Sequence, residues 1–338
     1  MDNMKAAIYN GNSLKIENIK KPMLKDSQVL VKVKSVGICG TDIAINNGHL
    51  KTPTPIILGH EFSGEITEVG SNIDPTIIGK RVTSEINSNI DFSCYFCKRG
   101  LFSQCESRKA LGIDINGALA EYIALDDYLI HDIPDNLTYE EATFIEPLAA
   151  AYQVFEMMPK ESNDKILTIF GLGRLGLLIT QVAKQLGFQL ICVDKSEKKL
   201  ALAQKFGANF MINSENENEV VQEIRDLTDG LGSDIVLDTT GNPDALNEII
   251  KSCRTRGKIH IKSTHGLNVP INLTDIVVRE LKIFTSRCGP FEKSIQGLYT
   301  GKIQVNDLIS RQYELNEIYA AFKSYENKDI IKTLINIS

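Results

Sequence analysis

The stretch KILTIFGLGRLG, residues 165–176, decides the fold of this chain. Its first six residues form a compact apolar run, which is typical of a parallel strand buried on both faces. Its last six follow the pattern Gly-x-Gly-x-x-Gly, and residues 175–186 have helical periodicity. A glycine-rich turn between a strand and a helix predicts the binding of a dinucleotide.

The positions of this turn have separate tasks. Gly171 permits the tight turn, Gly173 lets the backbone approach a pyrophosphate, and Gly176 lets the helix and the strand pack closely. Arg174 and Leu175 begin the helix, whose free N–H groups are expected to face the cofactor phosphates. The alternative is a glycine-rich structural turn without a ligand.

Asp194 ends the next predicted strand, QLICVD, about twenty residues further along the chain. A carboxylate at this position accepts hydrogen bonds from the adenosine ribose, and it favours NAD over the 2′-phosphorylated cofactor. Lys195 follows directly and keeps NADP open as an alternative.

The texture of the chain predicts two domains. Strands alternate with helices in one part, which predicts a doubly wound parallel sheet of the α/β class. The remainder has short extended runs between turn residues, which predicts a β-rich domain. We predict the β-rich domain at 1–147, the dinucleotide-binding domain at 148–285, and a segment at 286–338 that returns to the first domain. The predicted strands include 28–34, 65–69, 79–83, 210–213, 234–238 and 258–262, and the predicted helices include 196–206, 217–228 and 243–252.

The composition limits the choice of partners. Of 338 residues, 43% are hydrophobic and 24% are charged, and the net charge is −6. Nucleic acid is not expected as a partner, because phosphate neutralisation needs a basic face. No stretch approaches the roughly 18 apolar residues of a membrane span, and the N-terminus has no apolar signal core. We expect a cytoplasmic protein whose seven cysteines are not paired in disulfides.

Three segments together supply one thiolate, one imidazole and one carboxylate, from Cys39, His60 and Glu146. Each residue alone is more typical of packing or of the surface. A Lewis-acidic zinc that keeps one position free for substrate takes a three-ligand set of this kind. A zinc site and a nicotinamide site in one chain indicate hydride transfer on an alcohol or a carbonyl.

Over essentially its whole length the chain resembles the medium-chain, zinc-dependent alcohol and polyol dehydrogenase family. The resemblance implies a GroES-like β domain, a Rossmann domain, and assembly into homo-oligomers, usually dimers or tetramers. The motif Glu146-Pro147-Leu148 resembles the sorbitol and threonine dehydrogenase branch of the family. The motifs that carry the resemblance are GICGTD (37–42), GHEFSGEITEVG (59–70), the cysteine lobe (91–105), EPLAAA (146–151), GLGRLG (171–176) and SRCGPF (286–291).

The resemblance assigns roles around the catalytic zinc. Cys39 and His60 would bind it directly, Glu146 would bind it directly or through water, and Glu61 would lie close to it. Asp42 would orient His60 and raise its basicity.

Further roles follow from the same resemblance. Thr41 resembles the hydroxyl that takes the substrate proton. The family often has histidine at the position of Ala44 as the next proton carrier, and His49 is an alternative here. Thr264 falls where the family passes near the nicotinamide. Arg287 resembles an arginine that approaches polyol hydroxyls, so it is expected close to the cofactor and the substrate.

A second cluster resembles the structural zinc lobe of the family. Cys94, Cys97 and Cys105 match three of its four cysteines, and Asp91 stands at the place of the first. A carboxylate oxygen can bind zinc, so a closed four-ligand structural site is predicted. The alternative is a redox-active Cys-x-x-Cys pair.

The sequence therefore predicts a zinc-dependent dehydrogenase that transfers hydride between NAD and a small secondary alcohol or polyol. Two alternatives stay open. One is a zinc-free quinone or enoyl reductase on the same fold, which would not need these three ligands. The other is a non-catalytic protein that keeps its affinity for NAD.

Overall fold

The structure is a computed structural model that describes residues 3–215, 219–264 and 266–338. Within these ranges no helix is both long enough and apolar enough to cross a membrane. The predicted helix at 217–228 begins outside the described residues, and its described part is helical from Val220 to Asp226.

The secondary structure follows the predicted texture. In chain order the strands are β1 (Asn3–Tyr9), β2 (Leu14–Lys20), β3 (Gln28–Gly37), β4 (Ile56–Ile57), β5 (Glu61–Val69), β6 (Arg81–Ser84), β7 (Asn87–Ser88), β8 (Lys109–Ala110), β9 (Tyr122–Asp126), β10 (Ile130–Asp132), β11 (Ile166–Phe170), β12 (Gln189–Asp194), β13 (Phe210–Asn213), β14 (Ser233–Asp238), β15 (Cys253–Ile261), β16 (Lys282–Thr285), β17 (Ile309–Glu314) and β18 (Lys332–Asn336). The α-helices are α1 (Gly40–Asn46), α2 (Tyr139–Ala142), α3 (Ile145–Met157), α4 (Arg174–Gln185), α5 (Glu197–Lys205), α6 (Val220–Asp226), α7 (Leu246–Ser252), α8 (Leu273–Val278), α9 (Phe291–Tyr299) and α10 (Ile318–Lys323). Short 3₁₀ turns cover Pro75–Ile77, Cys97–Arg99, Phe102–Gln104, Asp127–Leu129, Pro243–Ala245, Asn306–Leu308, Leu315–Glu317 and Ser324–Glu326.

The chain divides into two compact units. The first unit joins Met1–Glu146 to Phe291–Ser338, and the second unit covers Pro147–Pro290. The second unit contains the parallel sheet and the first contains the antiparallel strands, so the predicted fold class is confirmed.

The second unit is built around β11. Its sheet has the order β13-β12-β11-β14-β15-β16, and all of the pairings are parallel. β11 has β12 on one side and β14 on the other, so the strand order reverses at this point. Doubly wound sheets bind ligands at the carboxyl ends of the strands beside such a reversal. The glycine turn follows β11 directly and therefore lies at that position.

The first unit is organised by the long strand β3. Val29, Val31 and Val33 alternate along it and are fully buried in the core. β3 pairs with β5 along most of its length and with β9 over its first half. Near its end it pairs with β18, where Leu334 faces Gly37. This last pairing joins the C-terminal residues to the first unit.

The sheet of the second unit contains a buried histidine. His260 in β15 is fully buried, and neither ring nitrogen has a hydrogen-bond partner among the residues that the structure describes. Burial lowers the pKa of His260 to about 4, and the charge of Lys262 acts in the same direction. The imidazole is therefore held in its neutral form.

We expect the substitution His260→Leu to make the protein less sensitive to acid. The pKa of His260 in the fold lies below its ordinary value of 6.5, so the unfolded chain binds this proton first as the pH falls. The stability is intact above pH about 6.5 and is lost as the pH falls towards about 4, with a loss of about 2 kcal/mol near pH 5. Urea unfolding of both proteins near pH 8 and near pH 5 measures the difference. An equal loss of stability in both proteins would contradict the prediction.

Candidate active site

The site in the first unit begins where β3 ends. Cys39 is the N-cap residue of α1, and Asp42 lies in the first turn of that helix. The N–H of Cys39 donates to Asp42 Oδ2 at 2.8 Å. A carboxylate that accepts this bond satisfies a free N–H at the helix start. The backbone that carries the Cys39 thiol is therefore fixed.

The same carboxylate fixes the segment that carries His60. The N–H of Gly59 donates to Asp42 Oδ1 at 3.1 Å. Gly59 has φ of +89°, a left-handed conformation that favours glycine. Asp42 Oδ1 also lies 3.9 Å from His60 Nδ1. One fully buried carboxylate thus holds both predicted ligand segments. His60 Nδ1 has no hydrogen-bond partner among the described residues, so Asp42 acts on His60 through its charge rather than through a hydrogen bond.

Three donor atoms converge beside Asp42. One ligand atom each from Cys39, His60 and Glu61 lie within 4.8 Å of one another. Burial lowers the pKa of His60, but the charges of Cys39 and Asp42 outweigh it and raise the pKa to about 9. A half-buried thiol, a buried imidazole without a hydrogen bond at Nδ1, and a buried carboxylate form a donor set that suits zinc.

Glu146 lies close enough to His60 to act on it electrostatically. It stands in the first turn of α3, and its charge contributes to the raised pKa of His60. Among the described residues, however, the group whose donor atoms all lie within 4.8 Å contains Glu61 and does not contain Glu146. The charges of both carboxylates thus lie within reach of His60, and Glu61 belongs to the compact donor set.

Sequence reasoning missed one residue of this site. Lys332 in β18 is fully buried, and its ammonium is in direct contact with Glu61 Oε2. Burial lowers the pKa of Lys332 to about 8, although the charges of Cys39 and Asp42 oppose this effect. A signal was present in the run IIKTLI, residues 330–335, where one lysine interrupts an apolar strand.

The predicted proton-transfer residues lie on and after α1. Thr41 lies between Cys39 and Asp42 in the sequence, and its side chain is half-buried. Ala44 lies further along the same helix and offers no group that could carry a proton. His49 is exposed in the loop that follows the helix.

The cysteine lobe forms a second compact donor set. One ligand atom from each of Asp91, Cys94, Cys97 and Cys105 lies within 4.8 Å of the others, and none of the seven cysteines, which all lie among the described residues, forms a disulfide. The N–H groups of Ser93 and Cys94 donate to Asp91 Oδ1 at 2.7 and 2.8 Å. These bonds hold the pKa of Asp91 well below its usual range.

The lobe thiols differ in their environment. Backbone N–H groups of Cys97 and Glu106 lower the pKa of Cys94. Burial and the neighbouring thiol of Cys105 raise the pKa of Cys97 to about 12. A metal ion that binds here must therefore displace a firmly held proton from Cys97. The four donors fit a closed structural site.

In the second unit the glycine turn has the geometry that its sequence predicts. Gly171 has φ of +87°. A Cβ built on Gly176 would overlap the carbonyl oxygen of Gly171, whereas a Cβ on Gly173 would meet nothing within 4 Å. α4 begins at Arg174, and Leu175 is its second residue. The open space at Gly173, beside a helix start, fits a pyrophosphate.

Asp194 is tied to the glycine turn. The N–H of Leu172 donates to Asp194 Oδ2 at 2.6 Å, and the N–H of Ser196 donates to Oδ1 at 2.9 Å. Ser196 also caps α5 by accepting from the N–H of Lys199. The carboxylate is therefore held at the carboxyl end of β12, close to the turn.

The two remaining predicted residues follow neighbouring strands. Thr264 is exposed beyond the end of β15, and Arg287 is exposed beyond the end of β16. Lys262 Nζ donates to the carbonyl oxygen of Arg287 at 2.8 Å and to Ser286 Oγ at 2.9 Å. Both residues thus lie at the edge of the sheet where its strands end.

Two family models match the sequence. The model of the alcohol dehydrogenase GroES-like domain matches residues 25–135, and the model of the zinc-binding dehydrogenase matches residues 175–300. The chain is 34% identical to the D-arabitol-phosphate dehydrogenase of Enterococcus avium, over 94% of this chain and 92% of the relative. It is 33% identical to the sorbitol dehydrogenase of Bacillus subtilis (strain 168), over 95% and 93%.

Solved structures are also similar to the chain over nearly its whole length. A zinc-binding dehydrogenase from Sinorhizobium meliloti 1021, bound to NADP, has a TM-score of 0.90 at 27% identity, covering 99% of this chain and 100% of the other. An alcohol dehydrogenase from E. coli CFT073, complexed with NADH, has a TM-score of 0.90 at 28% identity, with the same coverage. Neighbours of this fold therefore bind either nicotinamide cofactor.

Proposed function

The chain belongs to the medium-chain, zinc-dependent alcohol and polyol dehydrogenase family, and from this premise we propose that it interconverts a secondary alcohol or polyol and its ketone with NAD. The observation that carries the proposal is the convergence of Cys39, His60 and Glu61 in one compact donor set. A zinc-free quinone or enoyl reductase does not need such a donor set. A non-catalytic NAD-binding protein does not need one either, so neither alternative is favoured.

The residues of the first unit divide the chemistry among them. Cys39, His60 and either Glu61 or Glu146 would hold a zinc ion. Zinc supplies Lewis acidity, which lowers the pKa of an alcohol hydroxyl towards neutrality. Thr41 would accept the hydroxyl proton at its Oγ1 and pass on its own proton.

The supporting residues keep this arrangement in place. Asp42 braces the backbone on both sides of the donor set, at Cys39 and at Gly59. Ala44 cannot act as the next proton carrier, so the proton must leave Thr41 through solvent or through another group. The hydride chemistry belongs to the nicotinamide, which the second unit would bind at its glycine turn.

We propose NAD as the preferred cofactor because of Asp194. Both of its oxygens accept backbone N–H bonds, so its negative charge is fixed beside the glycine turn. A fixed carboxylate repels a 2′-phosphate and accepts bonds from ribose hydroxyls. Related structures hold either cofactor, so the proposal depends on this residue.

The substitution Asp194→Asn is expected to shift the cofactor preference. Asparagine keeps one side-chain oxygen for the backbone bonds but removes the charge. We expect the ratio of kcat/KM for NAD to that for NADP to fall about tenfold, which corresponds to about 1.4 kcal/mol. Initial rates with both cofactors measure the ratio in both proteins. A wild-type protein that prefers NADP would contradict the assignment.

A substrate panel tests the proposed function itself. Secondary alcohols, polyols and polyol phosphates are offered with NAD and with NADP, and the reduced cofactor is followed by its absorbance. We expect turnover that a zinc chelator abolishes and added zinc restores. Reduction of a quinone or an enoyl substrate that resists the chelator would instead support the zinc-free alternative.

Assembly and location complete the proposal. We propose a homo-oligomer, a dimer or a tetramer, as is usual in the family, and light scattering of the purified protein measures it. We also propose a cytoplasmic location, because the cysteines of the described residues, including those of both donor sets, form no disulfide and suit a reducing compartment.

A further inference from the structure

We propose that Lys332 is a positioning residue that competes with the catalytic metal for Glu61. It would thereby set how tightly the first unit holds zinc, and it would keep a coordination position free for substrate. The role depends on the proposed function, because Glu61 matters in this way only where a metal occupies the donor set.

The contacts of Lys332 show why it is bound to Glu61. Its ammonium lies directly against Glu61 Oε2, and both side chains are buried. The carbonyl oxygen of Ile38 lies 3.4 Å from Lys332 Nζ, and the ring centroid of Phe144 lies 5.6 Å away. Among these contacts only the carboxylate carries a charge that neutralises the ammonium. A buried charge that loses its partner is strongly destabilising.

The neighbouring backbone is shaped to admit this side chain. A Cβ built on Gly37 would overlap the Cε and Nζ atoms of Lys332. β18 and β3 pair at this point, with Leu334 opposite Gly37. The absence of a side chain at Gly37 therefore leaves the space that the ammonium occupies. Lys332 is therefore part of the packed interior of the site and does not cover it from the surface.

Glu61 contacts Lys332, and one of its oxygens also lies within 4.8 Å of donor atoms of Cys39 and His60. A zinc ion held by these donors would be a second positive charge beside the same carboxylate. Zinc that binds Glu61 must weaken the ion pair with Lys332, because one carboxylate cannot serve both cations fully.

The experiment measures zinc release from the loaded protein and from Lys332→Met. Release to a coloured chelator is followed over time, and the phase that is absent in His60→Ala belongs to the catalytic site. We expect this phase to slow at least tenfold in Lys332→Met, because Glu61 becomes free to bind the metal. Cobalt substituted for zinc is expected to show a changed visible spectrum, since the ligand set changes.

A double-mutant cycle tests whether Lys332 acts through Glu61. In a Glu61→Gln background, Lys332→Met is expected to change the release rate less than twofold. An equal effect in both backgrounds would overturn the proposal. Lys332→Gln keeps a polar group beside Ile38 and replaces the methionine variant in the cycle if that variant does not fold.

A matched control separates this role from general stability. Lys258 is a second buried lysine, in the other unit, and its Nζ lies 2.7 Å from Asp164 Oδ2. Lys258→Met is expected to lower stability and leave zinc release unchanged. If the wild-type protein binds no zinc at Cys39 and His60, the proposed function fails. If it binds zinc but Lys332→Met releases it at the wild-type rate, only the role of Lys332 fails.

Discussion

The substitution His60→Ala is expected to reduce kcat/KM for alcohol oxidation at least about a thousandfold, because Lewis-acid catalysis supplies several kcal/mol and each tenfold is about 1.4 kcal/mol. Among the described residues, His60 is the only nitrogen donor in the set formed by Cys39, His60 and Glu61. Without it, Cys39 and Glu61 cannot hold the ion in the required geometry. Zinc content should fall by about one ion per chain, as measured by metal analysis.

The two units allow cofactor binding to serve as an internal control. The glycine turn and Asp194 belong to the second unit, so the affinity for NADH, measured by fluorescence, should stay within about twofold of the wild type. His131→Gln is the matched control variant, since His131 pairs with Glu85 at 3.1 Å outside the donor set. It should keep its zinc and its activity. Full turnover in His60→Ala would end the zinc-dependent mechanism.

Elements with strong local signals could be predicted from the sequence. β12 and β13 have the predicted bounds. Each apolar run is followed directly by a turn or by a residue that caps a helix, so the end of the strand is visible in the sequence. The predicted strand at 79–83 is shifted in the structure to β6, Arg81–Ser84. Gly79 has φ of +89°, which places it in a turn rather than in a strand. The strand could be predicted, but its start depended on one backbone angle.

The candidate site was predictable to a similar degree. The short motifs around Cys39 and His60 predicted that these two residues share a site, and the Asp42 carboxylate holds the backbone of both segments. The pairing of Lys332 with Glu61 was not predictable. It depends on β18 lying beside β3, and residues so far apart in the sequence carry no local sign of their contact. The relative positions of Glu61 and Glu146 likewise needed the folded chain.

The substitution Cys97→Ser is expected to remove the metal of the lobe and to destabilise the protein more than it slows the chemistry. Cys97 is buried, and the lobe around it has only a small apolar cluster with Ile90 and Cys105. A closed metal site in such a segment contributes directly to folding. We expect a loss of several kcal/mol, or about 10 °C in Tm, with about one zinc ion fewer per chain. Calorimetry and metal analysis measure both.

Comparison with two other substitutions identifies the cause of this loss. Cys192 is a buried thiol in the second unit, outside both donor sets, and Cys192→Ser makes the same chemical change without touching a metal. It should leave the zinc content unchanged.

Asp91→Cys replaces the oxygen donor by sulfur, which zinc prefers in closed structural sites, and should slow the release of the lobe zinc to a chelator. If Cys97→Ser keeps the full zinc content and the wild-type Tm, the lobe is no metal site. A redox role for Cys94 and Cys97 would then be the better explanation, and mild oxidation should link them in a disulfide.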